Sequence, residues 1–385
     1  MGMKKSRVVL VFTIGGLVTF LGWAMFFVNS QPLNFRDGDL TPPTPTVEKF
    51  SDNYERANEI LDEMSLEEKI GQLLFVRVPQ ENIINDINNY HFGGYLLFGR
   101  DVEDGTLESL KNKIASWQQV AKFGLFIGID EEGGEVSRLS YAGLANFAAP
   151  KELYATGGYE LLDQVENEKI ALLESLGVNV NFAPVVDVCD DDTAFIASRS
   201  FSGDAEKVAE FATNIVGLYH GKNVSATLKH FPGYAKNVDT HMSSSYDERS
   251  EEQLKSDLKP FKAGIDAGAD FVMTAHNVMT KIDADNPASL SPRLHEILSK
   301  ELGFSGIVIT DDLSMSSISE YYHGMYSAAV QAVLAGNNML IVTDYKTAFN
   351  EILQAVNSGI IKESQIDYVL VPVLALKIEK GLLKQ

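Results

Sequence analysis

Eight short apolar runs, each followed by a stretch of helical periodicity, constrain this chain more than any other feature. The runs are "IGQLLFVRV" (70–78), "GGYLLFG" (93–99), "GLFIGID" (124–130), "VNVNFAPVVDV" (178–188), "SATLKHF" (225–231), "DFVMTAH" (270–276), "GIVITDD" (306–312) and "NMLIVTD" (338–344). Between them lie amphipathic patterns such as "AEKVAEFATNIVGLYHGK" (205–222) and "SEEQLKSDLKPFKAGIDAG" (250–268). Continuous apolar strands alternating with helices predict a parallel sheet covered on both faces. The eight units predict an α/β fold, a single (β/α)8 TIM-like barrel over residues 53–385; about 250 residues is typical of that fold and insertions are common. A doubly wound open sheet is the competing reading, weakened because no G-x-G-x-x-G follows the first strand.

A parallel barrel carries its chemistry on the loops that follow its strands. The polar residues fall there: run three ends in Asp130, run four in Asp187, run five runs into Lys229 and His230, run six ends in His276, run seven in Asp311 and Asp312, and run eight in Asp344. An aspartate in such a place often only caps the next helix. Six such ends together mark one face of the barrel as the candidate active site.

In "IVITDDLSM" (307–315) an apolar strand delivers a carboxylate from a rigid element, suited to a nucleophile, a general base or a metal ligand. In "LKHFPGYAKNVDTH" (228–241) a Pro232–Gly233 turn leads to Asp239 and His241. The aspartate is placed to orient the imidazole, and histidine suits proton transfer to a leaving group near neutral pH. A metal site made of His230, Asp239 and His241 competes with this, but its spacing lacks H-E-x-x-H logic and Lys229 would set a cation beside the metal. In "GIDEEGGEVSRL" (128–139) Asp130 leaves a strand, and the Gly133–Gly134 pair allows close backbone approach to a ligand. Arg138 is within reach of a nearby carboxylate there, and Arg199 of "IASRSFSGD" (196–204) sits in the loop after strand four.

The formal net charge of −21 opposes nucleic acid binding. A single cysteine, Cys189, excludes an intrachain disulfide framework and a thiolate zinc cluster. At the N-terminus Lys4, Lys5 and Arg7 precede the uncharged run Val8–Val28, long enough to cross a hydrocarbon core of roughly 30 Å. Residues 1–28 are therefore expected to form a cytoplasmic tip and an uncleaved transmembrane anchor, with the rest of the chain extracellular; secretion after signal cleavage is the alternative. Residues 29–52, with prolines at 32, 42, 43 and 45, read as a semi-rigid linker.

With "GIDEEGG", "NVNFAPVVDV", "SRSFSGD", "KHFPG…DTH", "MTAH" and "GFSGIVITDDLSM" in order over residues 55–380, the sequence resembles glycoside hydrolase family 3, in its bacterial β-N-acetylhexosaminidase branch. The resemblance implies a retaining exo-β-N-acetylglucosaminidase. It makes Asp311 the nucleophile and His241, paired with Asp239, the general acid/base. Asp130, Arg199, Lys229, His230 and His276 become sugar-binding residues. It implies a carbohydrate substrate, N-acetylglucosamine-containing glycans or cell-wall fragments, with no metal or organic cofactor, and a monomer is expected. Two-domain relatives take their acid/base from a second domain, which the Asp239–His241 dyad is expected to replace. A β-glucosidase or β-xylosidase, an N-acetylglucosaminide phosphorylase and a surface-anchored sugar-binding module are the alternatives. One departure stands out. The branch pattern reads K-H-F-P-G-H-G, four residues, then D-S-H, whereas here Tyr234-Ala235 replace His-Gly and the run is one residue shorter.

Overall fold

A computed structural model of the protein describes residues 49–102, 105–141, 143–234, 245–319 and 322–383. Eight parallel strands form one sheet: β1 (Leu74–Arg77), β2 (Gly94–Leu97), β3 (Phe126–Ile129), β4 (Val180–Asn181), β5 (Ser225–Phe231), β6 (Phe271–Thr274), β7 (Ile307–Thr310) and β8 (Leu340–Val342). Neighbours in sequence are neighbours in the sheet, and β8 returns to pair with β1, Leu74 opposite Leu340. Between β7 and β8 the seam is held by a parallel bridge at Ile309–Met339, with Met339 N–H donating to Val308 and Thr310 N–H to Met339. This is the barrel expected, not the open sheet.

The differences from expectation lie at element edges. The first run does not start as a strand. Ser65 and Glu68 form a reciprocal capping box, and Ile70 to Leu73 complete the helix Leu66–Leu73, which runs directly into β1. The fourth strand shortens to Val180–Asn181, because Pro184 lacks the N–H a ladder needs; the chain beyond it still bonds irregularly to β5, Val186 N–H to Lys229 C=O at 2.8 Å. The helical run 250–268 divides into Glu251–Asp257 and Lys259–Asp266, with Pro260 in the first turn of the second. Asp344 is not a site group: its carboxylate caps Tyr345–Asn357, accepting from Thr347 N–H. The fold also begins before residue 53, since Lys49 pairs with Asp270 at 2.9 Å and Phe50 is part of the core. The expected anchor, Val8–Val28, lies outside the described residues; among those described, no helix is long and apolar enough to cross a membrane.

The lumen is packed with rings. Phe75 points inward and meets Phe182 edge-on at 5.4 Å, and Phe126 meets Phe271 at 5.5 Å. The room for Phe75 comes from two glycines. A Cβ on Gly94 would stand 2.7 Å from the Phe75 ring, and one on Gly128 would stand 2.7 Å from both Phe75 and Phe182. Below, Lys377 of the C-terminal helix Glu363–Glu379 is fully buried, donating to Gln72 Oε1 at 2.7 Å and Gly124 C=O at 2.9 Å. Burial pushes its pKa well below the ordinary lysine value. Gly128→Ala is expected to lower stability by about 1–3 kcal/mol through overpacking. Urea unfolding should show the loss, and Phe75→Leu in the same chain should recover part of it.

Candidate active site

Side chains on a strand alternate between faces. Gly128 faces the lumen, so Asp130, two residues on, also faces inward and stands at the mouth. There Asp130 Oδ1 accepts from Lys229 Nζ of β5 at 2.8 Å, and Oδ2 accepts from Arg138 at 2.9 Å. Lys229 also contacts Glu132 Oε1 at 2.6 Å. Glu132 in turn holds Arg199 by two bonds, from Nε at 2.9 Å and from Nη2 at 2.8 Å. The charges alternate along one chain of contacts: Arg138, Asp130, Lys229, Glu132, Arg199.

Nothing in this chain is far from a counter-charge, and the acidities follow. Burial raises the Asp130 pKa, but Lys229 and Arg138 more than offset it and hold the carboxyl well below the ordinary range. Burial likewise opposes ionisation of Glu132, yet Arg199 and Lys229 bring it down to about 2. Arg199, whose burial alone would weaken its charge, is held more firmly cationic by Glu132.

His230 neighbours Lys229 across a cis peptide bond. Arg199 Nη2 lies 3.1 Å from His230 Nε2, and Asp187 Oδ2 lies 2.8 Å from Nδ1. Arginine only donates, so Nε2 accepts and Nδ1 carries the hydrogen that Asp187 takes. Asp187 is completely buried and also accepts the backbone N–H groups of His230 and Tyr234. It is a brace for this corner. Tyr234, the residue that replaces histidine in the branch pattern, is buried there, its ring 5.2 Å from His230 and 5.0 Å from Phe195.

Asp311 follows β7. Its N–H donates to Thr274 C=O at 2.9 Å, and its Oδ1 accepts from Asp312 N–H at 2.8 Å. His276 stands behind this turn, fully buried, with Nε2 3.0 Å from the Asp312 carbonyl and Nδ1 2.7 Å from Ser289 Oγ. Both ring nitrogens are used within the protein, so its geometry is that of a support for the Asp311 turn rather than a sugar contact.

Asp239 and His241 lie outside the described residues. The stems on either side are described. Arg249 donates to the Gly233 carbonyl at 2.6 Å and pairs with Asp247 and Asp257, while Val278 N–H donates to Ser245 C=O at 2.8 Å. Of the metal trio, only His230 is described, and both its ring nitrogens are occupied. Among the described residues no cluster suits a metal ion.

Glu132 was not singled out by sequence reasoning, though it is the group on which Lys229 and Arg199 converge. Its signal was its place two residues from Asp130 in extended chain. The glycines after it act differently from expectation: Gly133 and Gly134, with φ of 94° and 66°, approach the backbone of Phe147 to Ala149, and Gly134 N–H donates to Phe147 C=O. They close a hairpin against the protein's own chain.

The barrel and the polar network at its mouth define the class: a parallel-barrel enzyme with its site on the C-terminal ends of the strands. The family model described as "Glycosyl hydrolase family 3 N terminal domain" matches residues 65–376, and the chain belongs to that family of glycoside hydrolases. It is 35% identical over 271 residues to a beta-hexosaminidase of Stenotrophomonas maltophilia (strain K279a), covering 68% of this chain and 79% of that protein. It is 35% identical over 265 residues to a beta-hexosaminidase of Vibrio cholerae serotype O1 (strain M66-2), covering 68% and 78%. Among solved structures it resembles a glycoside hydrolase family 3 beta-N-acetylglucosaminidase from Paenibacillus sp. str. FPU-7, with a TM-score of 0.77 and 34% identity. That match covers 83% of this chain and 63% of the other, so the chain spans less than two thirds of that protein's length.

Glu132→Gln should destabilise the barrel by about 3 kcal/mol at neutral pH, because it leaves Lys229 and Arg199 short of a buried counter-charge. The folded-state pKa of Glu132 lies below its ordinary value of 4.5. The carboxylate's contribution is therefore present above pH 4.5 and lost as pH falls toward about 2. Urea unfolding of both proteins across that window should show the gap closing with acid; a pH-independent gap would refute the assignment.

Proposed function

We propose that the protein is a retaining, exo-acting β-N-acetylglucosaminidase that removes terminal β-linked N-acetylhexosamine from glycans or cell-wall fragments. The observation that carries this reading is the Asp130–Lys229–Glu132–Arg199–His230 network, set on the same barrel face as Asp311. Two relatives called beta-hexosaminidase, both 35% identical, support the choice of sugar.

In this mechanism the network holds the sugar. Lysine carries three hydrogens and Lys229 uses two on Asp130 and Glu132, which leaves one for a hydroxyl. The ionised Asp130 accepts hydrogen bonds from hydroxyl groups, and Arg199 donates to the ring substituents. Asp311 attacks the anomeric carbon as the glycosidic bond breaks, and His241 gives its proton to the departing oxygen. A covalent glycosyl-enzyme results. His241, now a base and oriented by Asp239, takes a proton from water; the water oxygen displaces Asp311 and the configuration is retained. His276 and Asp187 position Asp311 and His230 respectively.

We further propose, from the sequence, that Val8–Val28 anchors the protein and that the barrel works outside the cell, where such fragments occur.

The test is a panel of 4-nitrophenyl β-glycosides of N-acetylglucosamine, glucose and xylose, in buffers with and without phosphate. N-acetylglucosaminide is expected to be cleaved fastest, with no gain from phosphate and no loss in chelator. Preference for glucoside or xyloside, or acceleration by phosphate, would replace the proposed reaction. Asp311→Ala should lower turnover by at least about a thousandfold. Near-normal release of 4-nitrophenol would remove Asp311 from the nucleophile role.

A further inference from the structure

Phe75 faces the lumen, so Arg77, two residues on, faces the same way and stands at the mouth, as Asp130 does on β3. Its guanidinium lies 3.8 Å from the centre of the Phe98 ring at the end of β2, and Arg138 approaches the same ring at 5.1 Å. Many buried and half-buried cations of the described barrel have a carboxylate within ion-pairing distance, among them Lys49, Lys69, Arg138, Arg199, Lys229 and Arg249. Arg77 makes no such pair with a described residue, and its buried Nε has no hydrogen-bond partner.

The charges around it explain why. Facing Arg77 are two cations, Arg100 and Arg138, and two carboxylates, Asp101 and Asp312. Asp101 accepts from Phe98 N–H at 2.8 Å and pairs with Arg100 at 3.5 Å. Asp312 accepts from Ser314 N–H at 2.9 Å and lies 3.4 Å from Thr343 Oγ1. Asp101 is thus paired with another arginine, and Asp312 stands near Arg77 without coming within ion-pairing distance. Burial and Arg100 weaken the charge on Arg77, and Asp312 only partly restores it. Stacking on a ring covers one face of a guanidinium and leaves its N–H edges able to donate. Those edges match the two oxygens of a carboxylate or phosphate. A neutral hydroxyl would satisfy a donor without compensating the charge.

We propose that Arg77, stacked on Phe98, is a subsite for an anionic group, a carboxylate or phosphate, carried by the substrate on its sugar or its aglycone. The proposal rests on the glycosidase reading above, and it narrows the substrate class to acidic glycosides.

The experiment compares kcat/KM for two matched pairs of β-N-acetylglucosaminides in wild type and R77Q. One pair has 4-hydroxybenzoate or its methyl ester as aglycone; the other is the 4-nitrophenyl glycoside with or without a 6-phosphate. Dividing the anionic-to-neutral ratio of wild type by that of R77Q cancels intrinsic reactivity. A quotient of about ten or more in one pair is expected from the loss of one charged hydrogen-bonded contact. The responding pair identifies whether aglycone or sugar carries the anion. A quotient near one in both pairs overturns the proposal, because a structural or hydroxyl-binding role lowers anionic and neutral rates alike. R77K, which keeps the charge and loses the fork, should give an intermediate quotient, and serves in its own right if R77Q does not fold. Titration of wild type and variant with N-acetylglucosamine 6-phosphate and with glucuronate reads the subsite without turnover. Inactivity of wild type on the neutral 4-nitrophenyl glycoside would thus sink the glycosidase reading alone, while equal binding of both anions to wild type and variant would sink the subsite.

Discussion

The Lys229 ammonium is the constraint on which the site depends. It is 2% exposed, and a cation so far from water is tolerable only beside negative charge. Asp130 and Glu132 supply that charge, but two carboxylates this close repel each other, so each needs a further cation. Arg138 serves Asp130 and Arg199 serves Glu132. Arg199 then fixes the acceptor nitrogen of His230, whose other nitrogen is fixed by Asp187. One buried charge on β5 thus organises the ends of β3 and β5 and the loop carrying Arg199. The cost of burying the network secures geometry more than stability. Its members cannot be exchanged singly without leaving a neighbour uncompensated.

The architecture was legible in the sequence because parallel strands buried on both faces read as continuous apolar runs, and all eight were visible. Boundaries were less so. The stretch Ile70 to Leu73, with apolar residues at both ends, suits a buried helix as well as a strand, and only the Ser65–Glu68 capping box decides between them. The placement of Asp130, Lys229, His230 and Asp311 at strand ends followed from the fold. The partnership of Glu132 with Arg199 did not, because it joins residues 67 apart in sequence. The Gly133–Gly134 pair shows a similar limit: glycine signals close approach but not what approaches. His276 looked like a ligand contact because histidine at a strand end suits one, whereas its two nitrogens fasten the turn that carries Asp311.

Tyr234 shows how a departure from a family pattern is absorbed. Its backbone N–H uses the same Asp187 carboxylate that orients His230, and its ring fills the space beside that imidazole. A change at position 234 is therefore also a change beside the imidazole of His230.

The rings of Phe75, Phe182, Phe126 and Phe271 close the barrel beneath the site, and the buried Lys377 helix seals it from below. The barrel is thus filled beneath the polar network at its mouth. For the proposed reaction this floor has one consequence: a glycan would have to enter tip first from the mouth, because the rings beneath leave it no passage through the barrel.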